Sequence, residues 1–280
     1  MIRYANAQDI KQIRDLWELC FPDDSGFNDY FFANLFDLNH VLLFEIEGQI
    51  AAMTQMIPRQ IHVSAKQTEC CTYIYGACTH PEHRRKHLMS QLLERSFMLD
   101  RSLGCTASVL IPAEEWLFDF YRQFGYEATF MLNTNEVRKC DSVNCRLSML
   151  DKEAVSDMND LYERSLKETM SFLLRDQAEW NRQIEMFSAI GMGCFGKHAP
   201  DGTLLGYAFA WKPADDMVYV QEVAACSKQV QEEILESIAS FANVNRVRYS
   251  DMKRSEKPIG CMKRYDNQKI SMCYMNLMLN

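Results

Sequence analysis

The feature that most constrains the fold of this 280-residue chain is an order of predicted elements that occurs in both halves. In each half, a short strand and two helices precede a run of antiparallel strands, and a helix and a further strand follow. Antiparallel runs with added helices indicate an α+β sheet. We therefore predict an α+β fold of the α/β-sandwich type with two domains, 1–136 and 137–280. Each domain would hold a mixed, mostly antiparallel sheet flanked by helices.

Turn residues and apolar spacing locate the main elements. Val41–Glu45 and Ile50–Ile57 predict a hairpin, and Pro58 predicts a break before a separate strand. The polar stretch Val137–Val143 predicts the boundary between the domains. At the far end, the apolar segment Ser271–Leu279 predicts a last strand.

Composition excludes some function classes. The net charge is −8 and the pI is near 5.3, whereas a protein that binds nucleic acid regardless of sequence needs a basic face. We therefore predict no nucleic-acid partner. No secretory signal follows Met1, no apolar run approaches the roughly 18 residues of a spanning helix, and the eleven cysteines are odd in number. These features predict free thiols, no membrane partner and a cytoplasmic location.

The segment Tyr75–Leu93 carries the strongest sign of chemistry. It predicts a strand, a sharp turn and the start of a helix. Unpaired backbone N–H groups at a helix start, with the helix dipole behind them, bind anions. Arg84, Arg85 and Lys86 add three positive charges there, in a chain whose net charge is −8. The segment therefore predicts a phosphate site, and a basic helix start exposed to solvent is the alternative.

Three separated motifs give this sequence its likeness to a known family. Ile2–Asp9 opens the chain, Arg84–Met89 follows a predicted strand, and Phe120–Tyr126 has the pattern Phe-Tyr-x-x-x-Gly-Tyr. On these motifs, residues 1–132 resemble the GCN5-related N-acetyltransferase family, and the element order resembles its tandem, enhanced-intracellular-survival-like members. The resemblance implies two tandem acetyltransferase-like domains. It also implies that the first domain binds acetyl-coenzyme A as a cosubstrate.

The resemblance implies roles for residues near the turn. Backbone amides near Cys78 and His80 would hold the pantetheine arm and polarise the thioester carbonyl. Tyr121 matches the tyrosine that often protonates the leaving thiolate. The α-carboxylate of Asn280 would be the general base, as the chain terminus is in the enhanced-intracellular-survival type. The implied coenzyme-binding residues are Cys78, Thr79, His80, Arg84, Arg85, Lys86, His87, Leu88, Met89 and Ser90.

Two departures from the family pattern change what we expect. The motif is Arg/Gln-x-x-Gly-x-Gly/Ala, and His87 and Met89 stand where it has its small residues. We expect the turn to accept these side chains if it stays helical, with weakened coenzyme binding. In the second half, the equivalent turn Cys226–Glu233 lacks arginines and carries two carboxylates. We therefore expect residues 137–280 to form a degenerate domain that binds no coenzyme.

Together these features predict an N-acetyltransferase that moves an acetyl group to a primary amine of a small molecule or peptide by direct attack. The alternative is a non-catalytic module that senses coenzyme A or binds a protein. Enzymes that add amino acids to peptidoglycan and N-myristoyltransferases have a similar tandem arrangement and rank lower. Cys78, His80, His83 and His87 suggest a metal set, but the adjacent positive charges oppose a cation, so we predict no metal. The amine and the oligomeric state stay open.

Overall fold

The structure, a computed structural model, describes residues 1–64, 67–138, 146–167, 170–212, 216–253, 255, 257–266, 268, 270 and 272–276. The chain forms two compact units. The first comprises Met1–Ile61, Gln67–Thr129 and Ile259–Ser271, and the second comprises His62–Lys66, Phe130–Pro258 and Met272–Asn280. These units differ from the predicted division at residue 136, chiefly because Ile259–Ser271 belongs to the first unit.

The first part of the chain contains both helices and strands. The helices are α1 (Ile10–Cys20), α2 (Phe27–Asn34), α3 (Leu88–Ser102) and α4 (Trp116–Arg122). The strands are β1 (Ile2–Tyr4), β2 (Val41–Ile46), β3 (Gln49–Ser64), β4 (Gln67–Thr79), β5 (Ala107–Leu110) and β6 (Glu127–Met131).

The remainder of the chain repeats this mixture of helices and strands. The helices are α5 (Val155–Leu166), α6 (Gln177–Ala189) and α7 (Lys228–Ala242). The strands are β7 (Asn133–Arg138), β8 (Ser148–Met149), β9 (Ser171–Leu173), β10 (Gly193–His198), β11 (Leu204–Ala210), β12 (Met217–Ala225), β13 (Arg246–Asp251), β14 (Pro258–Arg264) and β15 (Cys273–Tyr274). The predicted α+β class is confirmed.

The sheet of the first unit has helices on both faces. Side chains of a strand alternate between the two faces, and β2 shows the consequence. Leu42 packs in an apolar cluster with Leu92 and Phe97 of α3. Val41 and Leu43, its neighbours, pack in a separate cluster with α1 and α2. The sandwich architecture predicted from the sequence follows from this alternation.

A strand from the far end of the chain completes this sheet. The strand order is β1-β2-β3-β4-β5-β14-β6, and β14 is antiparallel to β5, with Cys261 opposite Leu110. Cys261 is buried in the same apolar cluster as α3. At the last residue of the strand, an Arg264 guanidinium nitrogen lies 2.6 Å from a Glu69 carboxylate oxygen. These contacts explain why Ile259–Ser271 belongs to the first unit.

The hairpin of β2 and β3 turns where the sequence predicts. Glu47 and Gly48 both have positive φ, 49° and 79°, which is the backbone of a two-residue hairpin turn. The predicted break at Pro58 is wrong, because β3 runs on to Ser64. Pro58 lies beyond Gln55, the last β3 residue paired with β2, so its missing N–H removes no bond from that ladder.

The second unit has its own sheet of order β7-β13-β12-β11-β10-β8. Neighbouring strands are antiparallel except β12 and β13, which run parallel. Helix α7 packs on this sheet through Ile234, Leu235 and Ile238. The first strand, β7, is Asn133–Arg138, which includes the start of the stretch that we predicted as a polar boundary.

A buried ion pair lies in the core of the second unit. The Arg175 guanidinium donates two hydrogen bonds to the Glu222 carboxylate, each 2.6 Å long. The hydroxyls of Tyr207 and Tyr274 donate to the same carboxylate, at 3.0 and 2.7 Å. Arg175 also donates to the backbone carbonyl of Asn276 at 2.9 Å. Because both charges are paired and hydrogen-bonded, the core tolerates them.

In the first unit, helix α1 and strand β4 meet where Trp17 packs on Gly76. The indole N–H of Trp17 donates to the Asn28 side chain at 2.8 Å, and its ring stacks on Phe31 with centroids 4.8 Å apart. A β-carbon on Gly76 would lie 2.2 Å from the Trp17 ring, and Gly76 has a φ of +59°. Both facts require glycine at this position.

The effect of this contact can be separated from backbone strain with two matched substitutions. Gly48→Ala meets no atom within 4 Å, so we expect it to lower the free energy of unfolding by about 1 kcal/mol through its positive φ alone. Gly76→Ala adds the clash with Trp17, and we expect a loss of about 3 kcal/mol. Urea unfolding followed by circular dichroism measures both. Equal losses would contradict the role given to Trp17.

Candidate active site

Strands β4 and β5 run side by side and then part. Their parallel pairing extends from Cys71 to Tyr73, which lies opposite Val109. Strand β4 continues past Tyr73 to Thr79, with the left-handed residue Gly76 between them. Past the last pair, β5 no longer supplies hydrogen-bond partners to this edge of β4. The strands thus leave an opening at the end of β4.

A cavity of about 750 Å³ lies at this opening. Its volume is within the range of small-molecule and cofactor sites. The walls come from the end of β4, the turn before α3, the first turn of α3, and helix α4. The lining residues are Ala77, Cys78, Thr79, His83, Arg84, Arg85, His87, Leu88, Met89, Ser90, Trp116, Leu117, Phe120, Tyr121 and Gln123.

The turn before α3 has an unusual backbone. Arg85 and His87 have φ of 62° and 57°, in the left-handed region, and Lys86 between them does not. Such alternation forms a concavity of N–H groups that favours anions. His87 is the residue before α3 and makes no capping bond with its side chain. The amides of the first turn therefore have no partner inside the helix.

The turn is not helical at His87, so the condition on which we expected it to accept these side chains is not met. The left-handed conformation costs a residue with a β-carbon about 1–2 kcal/mol relative to glycine. The side chains nevertheless leave the cavity open. His87 is exposed, and Met89 packs partly buried against the apolar cluster that includes Leu92.

Tyr121 is a lining residue of the cavity and has a phenol side chain. The residue lies on α4 and is 7% exposed. Burial raises its pKa to about 12, and the nearby thiols of Cys261 and Cys78 add to the effect. The phenol is therefore a neutral proton donor over the physiological pH range.

Two cysteines lie beside the cavity wall. Cys78 is buried, which raises the pKa of its thiol well above the ordinary value. Cys20 is half-buried, and its thiol donates to the Thr79 carbonyl at 3.7 Å. A hydrogen bond with Cys78 and the charge of Arg84 lower the pKa of Cys20 to about 7. The sequence did not point to Cys20, or to Cys261 near Tyr121, because both lie in other segments of the chain than the predicted turn.

Most of the predicted coenzyme-binding residues meet at this cavity, but His80 and Lys86 are not among its lining residues. The His80 amide donates to the Ala51 carbonyl at 2.9 Å, and its ring accepts from the Glu82 amide at 3.4 Å. Lys86 is exposed, with its Nζ 3.4 Å from the His83 ring. Asn280, the predicted base, lies outside the described residues.

With this geometry established, comparison with known proteins decides the family. The family model of the acetyltransferase (GNAT) domain matches residues 1–129. Residues 1–129 belong to the GNAT acetyltransferase family. The matched residues include the turn before α3, helices α3 and α4, and Tyr121. No curated protein sequence matches the chain.

Solved structures share the fold over nearly the whole chain. A probable N-acyltransferase of unknown function from Enterococcus faecalis is 16% identical, with a TM-score of 0.75, and the match covers 94% of this chain and 72% of that one. Eis1 from Mycobacterium abscessus is 15% identical, with a TM-score of 0.66, and the match covers 95% of this chain and 74% of that one. N-myristoyltransferase from Saccharomyces cerevisiae with bound myristoyl-CoA is 9% identical, with a TM-score of 0.60, and the match covers 98% of this chain and 84% of that one.

Helix α4 contributes lining residues that the sequence prediction missed. Beside Tyr121, the GNAT domain presents Trp116, Leu117, Phe120 and Gln123 to the cavity. Trp116, Phe120 and Gln123 recur at i, i+4 and i+7, which places them along one side of the helix. That spacing was visible in the sequence, but only the fold shows that this side of α4 faces the turn before α3.

The second unit has a different helix start at the equivalent turn. Helix α7 follows Ser227, whose hydroxyl accepts a hydrogen bond from the Val230 amide at 3.2 Å. Glu232 and Glu233 lie in the first two turns of α7 and pair with Lys228 and Lys197. A capped start with carboxylates nearby is a poor anion site, in contrast to the uncapped start of α3 in the GNAT domain.

Two structural features are absent within the described ranges. Within them, no group of three or more His, Cys, Asp and Glu side chains is placed to hold a metal ion. In the same part of the chain, no helix combines the length and apolarity needed to cross a bilayer.

The strain at His87 can be measured by two substitutions. His87→Gly removes the side chain and permits the left-handed backbone, whereas His87→Ala removes the ring but keeps the β-carbon. We expect His87→Gly to unfold at a free energy about 1 kcal/mol higher than His87→Ala. Thermal and urea unfolding of the two variants test this. Equal stability would show that the backbone at this turn is not strained.

Proposed function

We propose that this protein transfers an acetyl group from acetyl-coenzyme A to the primary amine of a small molecule or peptide. The observation that carries the proposal is one cavity whose lining includes both the cationic turn before α3 and the buried hydroxyl of Tyr121. The first supplies charge for a diphosphate, and the second supplies a proton for a leaving thiolate. Both groups lie within residues 1–129, which match the family model of the acetyltransferase (GNAT) domain.

The turn fits a diphosphate in charge and shape. Arg84 and Arg85 line the cavity and carry two positive charges. The left-handed backbone at Arg85 and His87 directs amides toward an anion, and the uncapped amides at the start of α3 extend the set. The side chains of His87 and Met89 leave this cavity open, so the missing glycines do not exclude the ligand.

The proposed reaction uses backbone amides at the end of β4 and the phenol of Tyr121. Ala77, Cys78 and Thr79 line the cavity past the point where β4 leaves β5. Amides at that strand edge would hydrogen-bond the pantetheine arm and the thioester carbonyl. The amine nitrogen attacks the carbonyl carbon, the C–S bond breaks, and the departing sulfur takes the Tyr121 proton. The α-carboxylate of Asn280 remains our proposal for the base that removes the ammonium proton.

We assign no coenzyme to residues 137–280, which we propose form a degenerate acetyltransferase-like domain. The capping bond of Ser227 and the carboxylates near the start of α7 support this assignment. We also propose that the protein acts in the cytoplasm, because the cysteines in the described segments are free thiols, as expected in a reducing compartment.

A non-catalytic module is the second candidate. It is favoured by the strained left-handed conformation of His87, which a glycine would adopt without cost. Such a module would bind coenzyme A or a protein without turnover. The two candidates differ in one measurable quantity, which is the release of free thiol from acetyl-coenzyme A in the presence of an amine.

Binding of coenzyme A tests the site directly. We expect the wild-type chain to give heat in calorimetry with coenzyme A, and Arg84→Ala to weaken binding about tenfold by removing a charge-assisted contact. Lys86→Ala is the matched control, because Lys86 is a neighbouring cation that does not line the cavity, and its affinity should change less than about twofold. No heat with the wild-type chain would contradict the coenzyme site.

Thiol release across a panel of amines tests catalysis. We expect Tyr121→Phe to lower kcat about a hundredfold, because the thiolate then leaves without a proton donor. Tyr126→Phe is the control, since Tyr126 is also a buried phenol but bonds Ser108 at 2.7 Å and is not a lining residue. Because burial raises the pKa of Tyr121 to about 12, the rate should not fall up to about pH 10.

Three results would count against this scheme. Thiol release from none of the amines, with coenzyme A still bound, favours the non-catalytic module. Equal loss of kcat in Tyr121→Phe and Tyr126→Phe points to a packing effect rather than proton donation. A rate that halves near the ordinary phenol pKa of about 10 would show that Tyr121 is not the buried donor.

A further inference from the structure

Trp116 is an exposed aromatic residue at the rim of the cavity. Its side chain is 62% exposed although it is a lining residue, whereas Trp17 and Trp180 are 3% and 1% exposed. It lies at the first position of α4. Because Trp116 lines the cavity, its exposed ring is accessible to a ligand bound there.

The indole has a fixed polar neighbour. Its Nε1–H donates to a carboxylate oxygen of Glu114 at 2.6 Å. This bond restrains the ring in its plane and leaves a negative charge at its edge. Further along the same side of α4, Phe120 and Gln123 continue the cavity wall. The α4 side of the cavity is therefore aromatic, with a carboxylate hydrogen-bonded to its rim residue Trp116, while the turn before α3 is cationic.

Because the charges are separated in this way, different parts of a ligand that fills the cavity would bind at its two sides. Phosphates belong beside Arg84 and Arg85 and are repelled by Glu114. A flat, neutral, heteroaromatic group belongs on the Trp116 ring, because aromatic side chains stack on bases regardless of base identity. Coenzyme A contains both parts, since its adenine base is joined to phosphates.

We propose that Trp116 is the platform on which the adenine of the coenzyme stacks. The proposal rests on the function proposed above and adds the residue that selects the nucleotide end of the cosubstrate. Trp116 is a specificity-determining residue here, because it touches neither the thioester nor the amine. It makes affinity for coenzyme A depend on the adenosine portion.

Comparison of two ligands tests this assignment. Coenzyme A and 4′-phosphopantetheine share the pantetheine arm, and only coenzyme A has the adenosine. We expect Trp116→Ala to weaken coenzyme A about tenfold and to leave 4′-phosphopantetheine unchanged in calorimetry. Trp116→Phe, which keeps a ring, should stay within about threefold of wild type for both ligands. Phe241→Ala, at a 70% exposed aromatic residue, should alter neither affinity.

Fluorescence gives a second measurement that does not depend on the stability of the alanine variant. We expect adenosine 3′,5′-bisphosphate to quench the emission of the wild-type chain and to leave Trp116→Phe unquenched. No quenching in the wild-type chain overturns the proposal. So does equal quenching in both proteins.

The possible failures are distinguishable. If the wild-type chain binds coenzyme A but Trp116→Ala weakens both ligands equally, or neither, the adenine platform is wrong and the proposed function stands. If instead Trp116→Ala changes only the KM of the amine, the ring serves the acceptor and the adenine assignment is overturned. Absence of coenzyme A binding in the wild-type chain rejects both proposals together.

Discussion

The contact between the Trp17 ring and the backbone of Gly76 is the constraint on which the first unit depends. The ring occupies the space of a β-carbon, with 2.2 Å between them, and Asn28 and Phe31 hold it there. Strand β4 therefore turns through a left-handed residue after it has left β5. Past the end of its pairing with β5, strand β4 thus packs its bare backbone against a tryptophan of α1.

The turn beyond that opening has a backbone conformation that its side chains do not favour. Arg85 and His87 keep a backbone that suits glycine, at a cost of about 1–2 kcal/mol each. Strain of this kind persists only where the surrounding structure determines the conformation. Here Leu88 is buried and Met89 packs against the same apolar cluster, so the start of α3 is fixed from below. The core of the unit, rather than local preference, sets the geometry of the cationic turn.

Sequence analysis predicted the parts of this structure that depend on neighbours in the chain. The hairpin at Glu47, the strand-turn-helix order of Tyr75–Leu93 and the choice of Tyr121 as a site residue all follow from short motifs. Strand β14 was missed, because its register opposite β5 joins segments that are far apart in the chain and no local pattern encodes such pairing. The position of His80 outside the cavity lining could not be predicted for a similar reason, because its amide donates to the carbonyl of Ala51 on another strand.

Strand β14 also sets the order in which the molecule can form. The sheet of the first unit is one strand short until Arg264 has left the ribosome, although β6 ends at Met131. At about 5–20 residues per second, that interval lasts on the order of ten seconds. During synthesis β5 therefore lacks its β14 partner while the second unit is made, and Cys261 joins the apolar cluster that contains Tyr121 only when translation is nearly finished.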